Sequence, residues 1–537
     1  MHHQKAIAQY RGCLNLLAAP INTLPREILG IIFKLYVEYY VKGLRLKFSR
    51  DMLPLSAKPY LWIKLAHVCR YWRGVVLSHA ALFTYVRATE MMYRKQHRDF
   101  LRDYLSISGQ SPLDVDGELV WHDPHPESIW WLLVPKLHRL ASLQLRLSPF
   151  INFLNEWPVC PTTKEFTCHI YEHPYIPTPQ ICPSLQQILM LLPNLERLTI
   201  NFSTAFQTTF PAIPLPFLAY LSIHRMQYIP DRFVEALKLL PCLQSLKITE
   251  MYTTEGMEID PELWTPLSDA MPRLHDLEVS SYYLPAISSL MQLLPDVNTL
   301  NIDFTQEAFR DEASFGQLGL ILSKQLGAIQ ALDLRFWNDH TIQMVGWDIR
   351  NIAAQSENIC IIHFDFPFHA AAPRFRARTT TLLTNLFCQM INVQSLKITL
   401  PSDDAVHHDL NLDPILYQAA VYFQELRLLS LSSPSDDWAC FSQLAYALAG
   451  ETEPGNYHHG FPRLQELYLS FKLAFSPAMA TLLERVLLSR AGERTVAKIE
   501  CIWLIHGTPE PHQGRRVMET LNRIPSLVQH FYLYELI

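Results

Sequence analysis

The chain has 537 residues, of which 49% are hydrophobic, 11% aromatic and 18% charged. This composition excludes an intrinsically disordered protein, and the length predicts several domains or one repetitive architecture. The 17 glycines are too few for collagen or for glycine-rich linkers. No run approaches the roughly 20 apolar residues of a membrane-spanning helix, and residues 13–21 lack a secretory-signal pattern, so we expect no membrane partner.

The charges divide the chain unevenly. Residues 1–110 hold 17 Lys and Arg against 6 Asp and Glu, a net charge of +11, whereas the remainder carries −17. This asymmetry predicts an acidic partner for the N-terminal part and argues against nucleic-acid binding by the rest. The ten cysteines form no Cys-x-x-Cys pair, which is typical of free thiols in a reducing compartment, so we expect a cytoplasmic and/or nuclear protein.

The N-terminal part carries two helical patterns. Residues 22–33 begin with helix-capping residue types and a proline suited to a first turn, and four apolar residues then share one face: Ile28, Leu29, Ile32 and Phe33. A second helix is predicted over 61–78. The basic residues 38–59 between them are expected to form a long loop or a short helix with a loop.

Together these two segments resemble an F-box. The matching positions are Leu24, Pro25, Glu27, Ile28, Leu29, Ile32 and Phe33, followed by Val68, Cys69, Arg70, Trp72 and Arg73. The closing Trp of the F-box pattern is replaced by Phe83, and the intervening loop is longer than in the compact form of the module. Residues 98–116 resemble the segment that follows the F-box in many fungal F-box proteins.

The resemblance implies a docking module without catalytic residues. F-box modules bind the small acidic adaptor subunit of cullin-type ubiquitin ligases. The implied adaptor-binding residues are Leu24, Pro25, Ile28, Leu29, Ile32, Phe33, Val68, Cys69 and Trp72. The alternative is that these residues pack only against the rest of the chain.

Beyond residue 130, one phrase recurs: an apolar residue, often proline, a spacer, Leu, two residues, Leu, a spacer and an apolar residue. Its copies span 192–200, 215–223, 240–248, 271–279, 294–302, 326–334, 390–398, 423–431 and 461–469, with divergent copies at 134–145 and 357–366. Each phrase ends in the alternation of a short strand with one buried face. Amphipathic helices are predicted before several copies, at 184–192, 231–240, 285–294, 315–326 and 380–390.

A helix, a turn and a short strand repeated every 23–38 residues resemble the layout of leucine-rich repeats. We therefore expect an α/β fold in which an all-helical F-box module precedes an irregular leucine-rich-repeat-like α/β solenoid with a concave parallel sheet. The predicted divisions are an N-terminal segment (1–20), the F-box (21–88), a linker or first cap unit (89–130) and the solenoid (131–537). Unrelated αβ units or two globular domains remain the alternative.

A target protein would contact the residues between the two inward apolar positions of each strand. These residues are Thr199, Ser222, Lys247, Glu278, Asn301, Asp333, Lys397, Ser430 and Tyr468. Their mixed character, with no single-sign stripe and no aromatic ladder, does not identify a target. The alternative is that they only solvate the sheet.

No catalytic motif, metal site or cofactor is predicted. Phosphate loops, nucleophile elbows and zinc-binding helix motifs are absent from the sequence. The histidines at 122–127, 407–408 and 458–459 lie in polar, loop-like stretches. The F-box and leucine-rich-repeat resemblances together imply a non-enzymatic substrate-recognition subunit of a cullin-type (SCF) E3 ubiquitin ligase. The alternatives are a repeat scaffold without ligase function and a hydrolase hidden in the long inserts.

Overall fold

A computed structural model describes the chain as an α/β protein in two compact units. Unit 1 comprises residues 1–226 and 230–243, and unit 2 comprises residues 227–229 and 244–537. The described residues are 20–47, 60–88, 95–119, 128–147, 152–170, 183–206, 211–226, 231–251, 271–281, 297, 299–304, 319–320, 322–337, 341–347, 360–365, 381–400, 413–433, 438–449, 460–471, 476–492, 497–507 and 517–536.

Unit 1 begins with helices and continues as a parallel sheet. Its described helices are α1 Arg26–Lys47, α2 Arg70–Ser78, α3 Lys95–Ile107, α4 Trp130–Leu133, α5 Pro183–Leu191 and α6 Asp231–Lys238. Shorter 3₁₀ segments span Pro20–Thr23, Leu61–His67, Ala80–Phe83, Val134–Arg139 and Asn152–Glu156. The strands are β1 Tyr85–Ala88, β2 Leu113–Leu119, β3 Leu140–Leu147, β4 Glu165–Ile170, β5 Arg197–Phe206 and β6 Tyr220–Met226.

The helical module differs from the sequence prediction at two points. Helix α1 continues to Lys47, so residues 38–47 are helical and not part of a loop. The predicted helix over 61–78 is interrupted, because Cys69 adopts an extended backbone (φ −156°, ψ 171°) and caps α2. Its Sγ accepts a hydrogen bond from the Trp72 backbone N–H at 3.4 Å, which satisfies one of the amides left open at a helix start.

The strands of unit 1 pair in chain order from β1 to β6, and every pair is parallel. Parallel neighbours require crossover connections, which explains the alternation of strands with helices or 3₁₀ segments. The strand positions of the predicted phrase are confirmed. Leu198 pairs with Leu221 and Ile200 with Ile223, and all four side chains are buried.

The strands of unit 2 are mostly parallel and belong to the same 17-stranded sheet as those of unit 1. The strands of unit 2 are β7 Ser245–Met251, β8 Asp276–Ser281, β9 Thr299–Phe304, β10 Ala331–Trp337, β11 Thr341–Trp347, β12 Cys360–Asp365, β13 Ser395–Thr399, β14 Leu428–Ser433, β15 Glu466–Phe471, β16 Cys501–Gly507 and β17 His530–Leu536. Its described helices are α7 Ser323–Gly327, α8 at 381–387, α9 Asp413–Tyr422, α10 Trp438–Ala449, α11 Pro477–Gly492 and α12 at 517–521, with a 3₁₀ segment at Ile524–Ser526.

The predicted helices at 184–192, 231–240 and 380–390 are confirmed within one to three residues at either end. Within the predicted helix at 315–326, the described residues 319–320 and α7 are helical. The predicted helix at 285–294 lies outside the described residues.

The expected purely parallel sheet is wrong at one strand of unit 2. The spatial order is β7-β8-β9-β12-β11-β10-β13-β14-β15-β16-β17, and β11 runs antiparallel to both β10 and β12. Only three residues, 338–340, join β10 to β11, and this is too short for a crossover. The divergent phrase at 357–366 is nevertheless a strand, since β12 pairs in parallel with β9.

Glycine at position 346 lets β11 lie in this arrangement. A Cβ atom built at Gly346 would stand 2.4 Å from Cδ1 of Ile329, a side chain that is fully buried. Any larger residue would therefore push β11 away from the core, and this local requirement accompanies the inserted hairpin.

A buried arginine holds together the turn that precedes β15. The Arg490 guanidinium, on α11, donates hydrogen bonds to the carbonyl oxygens of Gly460 (3.0 Å), Phe461 (2.9 Å) and Ala497 (3.2 Å). Burial lowers the pKa of Arg490 to about 10. Phe461 is also buried and has a φ of 56°, a left-handed conformation that costs a non-glycine residue free energy. The Arg490 hydrogen bonds offset that cost.

We predict that Arg490→Met lowers the free energy of unfolding by about 2–3 kcal/mol, since the substitution leaves several buried carbonyl groups without a charged donor. Lys498→Met, at an exposed position next to Ala497, is the matched control and should change stability by less than about 0.5 kcal/mol. Urea unfolding of the full chain measures both. Equal midpoints for the two variants would contradict this role of Arg490.

Candidate functional site

Helix α1 is apolar on two opposite faces. Leu29, Phe33, Val37 and Val41 form the inner face and are buried. On the opposite face, six large apolar residues follow helical spacing and are exposed, and we call them the α1 stripe: Ile28, Ile31, Ile32, Leu35, Tyr36 and Tyr39. The exposed fractions reach 56% at Ile31, 60% at Leu35 and 79% at Tyr39. Because a surface helix is normally polar on its outer face, a contiguous apolar stripe indicates an interaction surface.

The structure separates the predicted adaptor-binding residues into exposed and buried groups. Pro25, Ile28, Ile32 and Val68 are exposed. Leu24, Cys69 and Trp72 are half-buried.

Leu29 and Phe33 are also predicted as contact residues, but both are buried in this structure. Leu29 is fully buried, and the Phe33 ring packs against Trp72 with centroids 4.9 Å apart. These side chains belong to the core between α1 and α2 and cannot reach a partner in this conformation. Ile31, Leu35, Tyr36 and Tyr39 were not predicted. Their i, i+3, i+4 spacing from Ile28 is the signal that could have found them.

A buried aromatic cluster joins the helical module to the first strand of unit 1. Tyr60 and Trp62 precede α2, Phe83 precedes β1, and Tyr104 lies on α3. The Phe83 and Tyr104 rings lie 5.1 Å apart, and the Trp62 and Phe83 rings 5.3 Å apart. The Tyr60 hydroxyl accepts a hydrogen bond from the Arg87 backbone N–H at 2.9 Å, and burial raises the pKa of Tyr60 to about 12. This cluster fixes the module, and therefore α1, against β1.

The predicted target-binding residues occupy equivalent positions of neighbouring strands. We call the side of the strands that carries them, opposite the buried leucines, the open face. In unit 1, Thr199 pairs with Ser222. In unit 2 the register aligns eleven residues: Lys247, Glu278, Asn301, Ile361, Val345, Asp333, Lys397, Ser430, Tyr468, Trp503 and Tyr532.

Three of these residues cannot make extensive contacts with a target. Ser222 is buried and its hydroxyl lies 3.0 Å from Nε2 of His224. Ser430 is also buried, since a small side chain is covered by its neighbours. Asp333 is buried beneath two basic residues. Prediction of these three as exposed recognition residues is therefore wrong, although their strand positions are right.

Charged residues on the open face of unit 2 are paired with one another. Lys247 Nζ lies 2.5 Å from Glu278 Oε1. Oδ2 of Asp333 lies 2.9 Å from Nη2 of Arg335 and 3.5 Å from Nζ of Lys397. Two cations share one carboxylate, so this second cluster carries a net charge of +1.

Aromatic residues continue the row beyond Tyr468, where none was predicted. The Trp503 and Tyr532 rings are stacked with centroids 4.2 Å apart and planes 19° apart. The Tyr534 ring lies 6.1 Å from Trp503 and nearly parallel to it. Sequence reasoning missed this cluster because β16 and β17 lack the recurring leucine phrase.

The chemistry of the described residues gives no support to a nucleophile or a metal centre. Burial raises the pKa of the Cys160 thiol to about 11 and that of Cys360 to about 12, so both stay protonated at neutral pH. Within the described part of the chain, no three metal-ligating side chains converge, and no helix is long and apolar enough to span a bilayer. The histidines at 122–127, 407–408 and 458–459 lie outside the described residues.

Comparison with family models and with curated protein sequences finds no match to this chain. The functional interpretation therefore depends on the geometry of the two surfaces described above: the α1 stripe and the open face of unit 2.

We predict that Tyr60→Phe lowers the free energy of unfolding by about 1–3 kcal/mol, because the substitution removes a buried acceptor of the Arg87 amide. Hydrogen exchange at that amide should accelerate in parallel. Tyr39→Phe, which removes a hydroxyl from a residue that is 79% exposed, is the control and should leave both quantities unchanged. Unaltered exchange in Tyr60→Phe would show that the cluster does not depend on this hydrogen bond.

Proposed function

We propose that this protein is a non-catalytic substrate receptor of a cullin-type ubiquitin ligase. Its N-terminal module would act as an F-box that docks on the acidic adaptor subunit. The repeated αβ units would form a leucine-rich-repeat-like solenoid whose sheet captures a target protein. Ubiquitin transfer would then be promoted by proximity, because holding a target lysine near a conjugating enzyme raises its effective concentration.

The observation that carries this proposal is the α1 stripe. A helix whose two faces are both apolar can bury only one of them against its own module. The inner face contacts α2, while the outer face presents isoleucine, leucine and tyrosine to solvent. Such residues at the centre of an interface contribute most of the binding free energy when water is excluded from them. The stripe lies on the helix that carries five of the twelve F-box-like residues.

Charge supports the same partner. The net +11 of residues 1–110 favours association with an acidic protein, since opposite potentials accelerate encounter and orient the partners. This contribution falls with ionic strength, whereas burial of the stripe does not. Adaptor binding through this module should therefore show a salt-sensitive association rate and a dissociation rate that depends mainly on the apolar contacts.

A repeat scaffold without ligase function is the second candidate. The aligned open face of unit 2 favours it, because a long polar and aromatic surface can bind proteins whether or not an adaptor is attached. In that case the α1 stripe would be covered by a partner unrelated to ubiquitin transfer.

We predict that the full chain co-purifies with the acidic adaptor and that Ile28→Glu combined with Leu35→Glu weakens binding at least about thirtyfold. That factor corresponds to about 2 kcal/mol, the loss expected at an interface hot spot. Both residues are exposed, so the thermal midpoint should change little. Titration of labelled adaptor at two salt concentrations measures the affinity.

The matched control is Leu488→Glu, which places the same charge at an exposed apolar position of α11 in unit 2. It should bind the adaptor as the parent does. If the folded parent does not bind the adaptor, the ligase proposal fails and the scaffold interpretation takes its place. If parent and double variant bind equally, the stripe is not the docking surface.

A further inference from the structure

The open face of unit 2 carries two kinds of recognition group along one row of paired strands. Residues Lys397, Ser430, Tyr468, Trp503 and Tyr532 lie side by side on β13 to β17. Asp333, on β10, precedes Lys397 in the same register. We call this row the recognition row. One of its ends is cationic and the other is aromatic.

The cationic end is held in position by Asp333. This side chain is 2% exposed, and its Oδ2 atom pairs with both Arg335 and Lys397. Its Oδ1 atom is buried and has no hydrogen-bond partner. The side chains of Arg335 and Lys397 remain 36% and 48% exposed. A carboxylate that approaches from solvent would therefore meet two oriented cations opposed by a single, largely covered anion.

Small side chains separate the cationic end from the aromatic end. Ser430 and Ser432 on β14 and Ser470 on β15 face the same side of the sheet, and none is exposed. Because they do not project far, the backbone of a ligand can approach the sheet between Lys397 and Tyr468. The row therefore has short serine side chains in the middle and larger side chains at both ends.

The aromatic end provides flat, accessible rings. Tyr532 is 38% exposed and Tyr534 46% exposed, and both rings lie nearly parallel to the Trp503 ring on the neighbouring strand. Rings of this kind bind apolar or aromatic side chains with a large contact area and little loss of rotamer entropy. This exposed ring cluster, next to the polar serines, is therefore a binding surface for one bulky side chain.

The spacing between the two ends sets the spacing of the ligand. Adjacent strands lie about 4.8 Å apart, so Lys397 and Tyr532, separated by four strand intervals, lie about 19 Å apart along the row. An extended peptide advances about 3.3 Å per residue, so about six residues span that distance.

We propose that the recognition row binds an extended peptide segment of a partner protein in which an acidic residue stands about six residues from an aromatic or large aliphatic residue. The proposal refines the target-binding role of the proposed function, on which it rests, but uses residues far in sequence from the α1 stripe. The acidic residue would pair with Arg335 and Lys397, and the bulky side chain would lie on Tyr532 and Tyr534.

Charge also orients the segment. Glu466, on β15, is exposed on the open face and pairs in register with Cys501, next to His530. It repels a carboxylate from the aromatic end and leaves the Arg335–Lys397 end as the favoured position. The same residue disfavours single-stranded nucleic acid, whose phosphates would need cations beside the rings as well.

The test uses the full chain, immobilised, and a display library of random twelve-residue peptides. The parent should enrich sequences that carry Asp or Glu about five to seven positions from Trp, Tyr, Phe or Leu, by about tenfold over the input, which corresponds to about 1.4 kcal/mol. Lys397→Met should abolish the acidic preference and keep the bulky one. Tyr532→Ala combined with Tyr534→Ala should abolish the bulky preference and keep the acidic one.

Lys164→Met removes an exposed lysine of unit 1 and is the matched control, which should give the parent profile. Circular dichroism of every variant separates loss of binding from loss of folding, and Lys397→Gln replaces Lys397→Met if the latter unfolds. An unenriched library, or profiles that do not change in the two variants, overturns the proposal. Displacement of bound peptide by oligo(U) would also overturn it and assign the row to nucleic acid.

Adaptor titration on the same protein distinguishes the two proposals. A parent that selects the predicted peptides but does not bind the adaptor keeps the recognition row and loses the ligase role. A parent that binds the adaptor but selects no peptides keeps the ligase role and loses the recognition row.

Discussion

The structure depends on one constraint: a short strand with a single apolar face cannot bury that face alone. Leu246 and Ile248 are typical, since both are fully buried only because Leu277 and Val279 lie beside them in parallel register. Each strand supplies the buried neighbour that the previous strand needs, so stability increases along the chain as strands are added. Register is fixed by the same requirement, because a shift of one residue would exchange leucine for a polar residue throughout a strand.

That constraint also aligns the open face. When alternate residues must point inward, the residues between them must point outward at the same level of every strand. Lys397, Ser430 and Tyr468 therefore become neighbours although 33 and 38 residues separate them in the chain. On such a surface, one outward residue of a strand can be substituted without disturbing the core. This explains how a repetitive fold carries a varied row of side chains.

Sequence patterns predicted the parts of the structure that follow from local periodicity. The leucine phrase located strands such as β5 and β15, because Leu-x-Leu alternation and burial are the same physical signal. The direction of each strand and the spatial order of the strands were harder to predict from sequence. The antiparallel β11 follows from a connection of three residues and from Gly346, and neither feature resembles the phrase. Residues 38–59 are predicted as a long loop or a short helix with a loop, and the continuation of α1 to Lys47 was not predicted, although lysine and arginine are good helix formers.

Sequence patterns predicted the two candidate surfaces only in part. The exposed half of α1 was overlooked because Leu29 and Phe33 match the same apolar pattern as Ile28 and Ile32, and sequence alone does not say which of two apolar faces turns inward. The aromatic end of the recognition row lies on β16 and β17, where Ile502 and Leu504 replace the leucine phrase. Composition there indicates strands but does not place them in register with Tyr468.

The aromatic cluster on the last described strands also contributes to the stability of the sheet. Ile502 and Leu504 on β16 are fully buried, whereas Phe531 and Leu533, their partners on β17, are only half-buried. The final strand therefore gains less from the core, and stacking of Trp503 on Tyr532 across the open face supplies part of the difference. Trp503 then serves stability and recognition together, and its removal could not separate the two. Tyr534 lies farther from Trp503, and it and Tyr532 expose more of their rings, so recognition can be attributed to these two residues with the stack as its support.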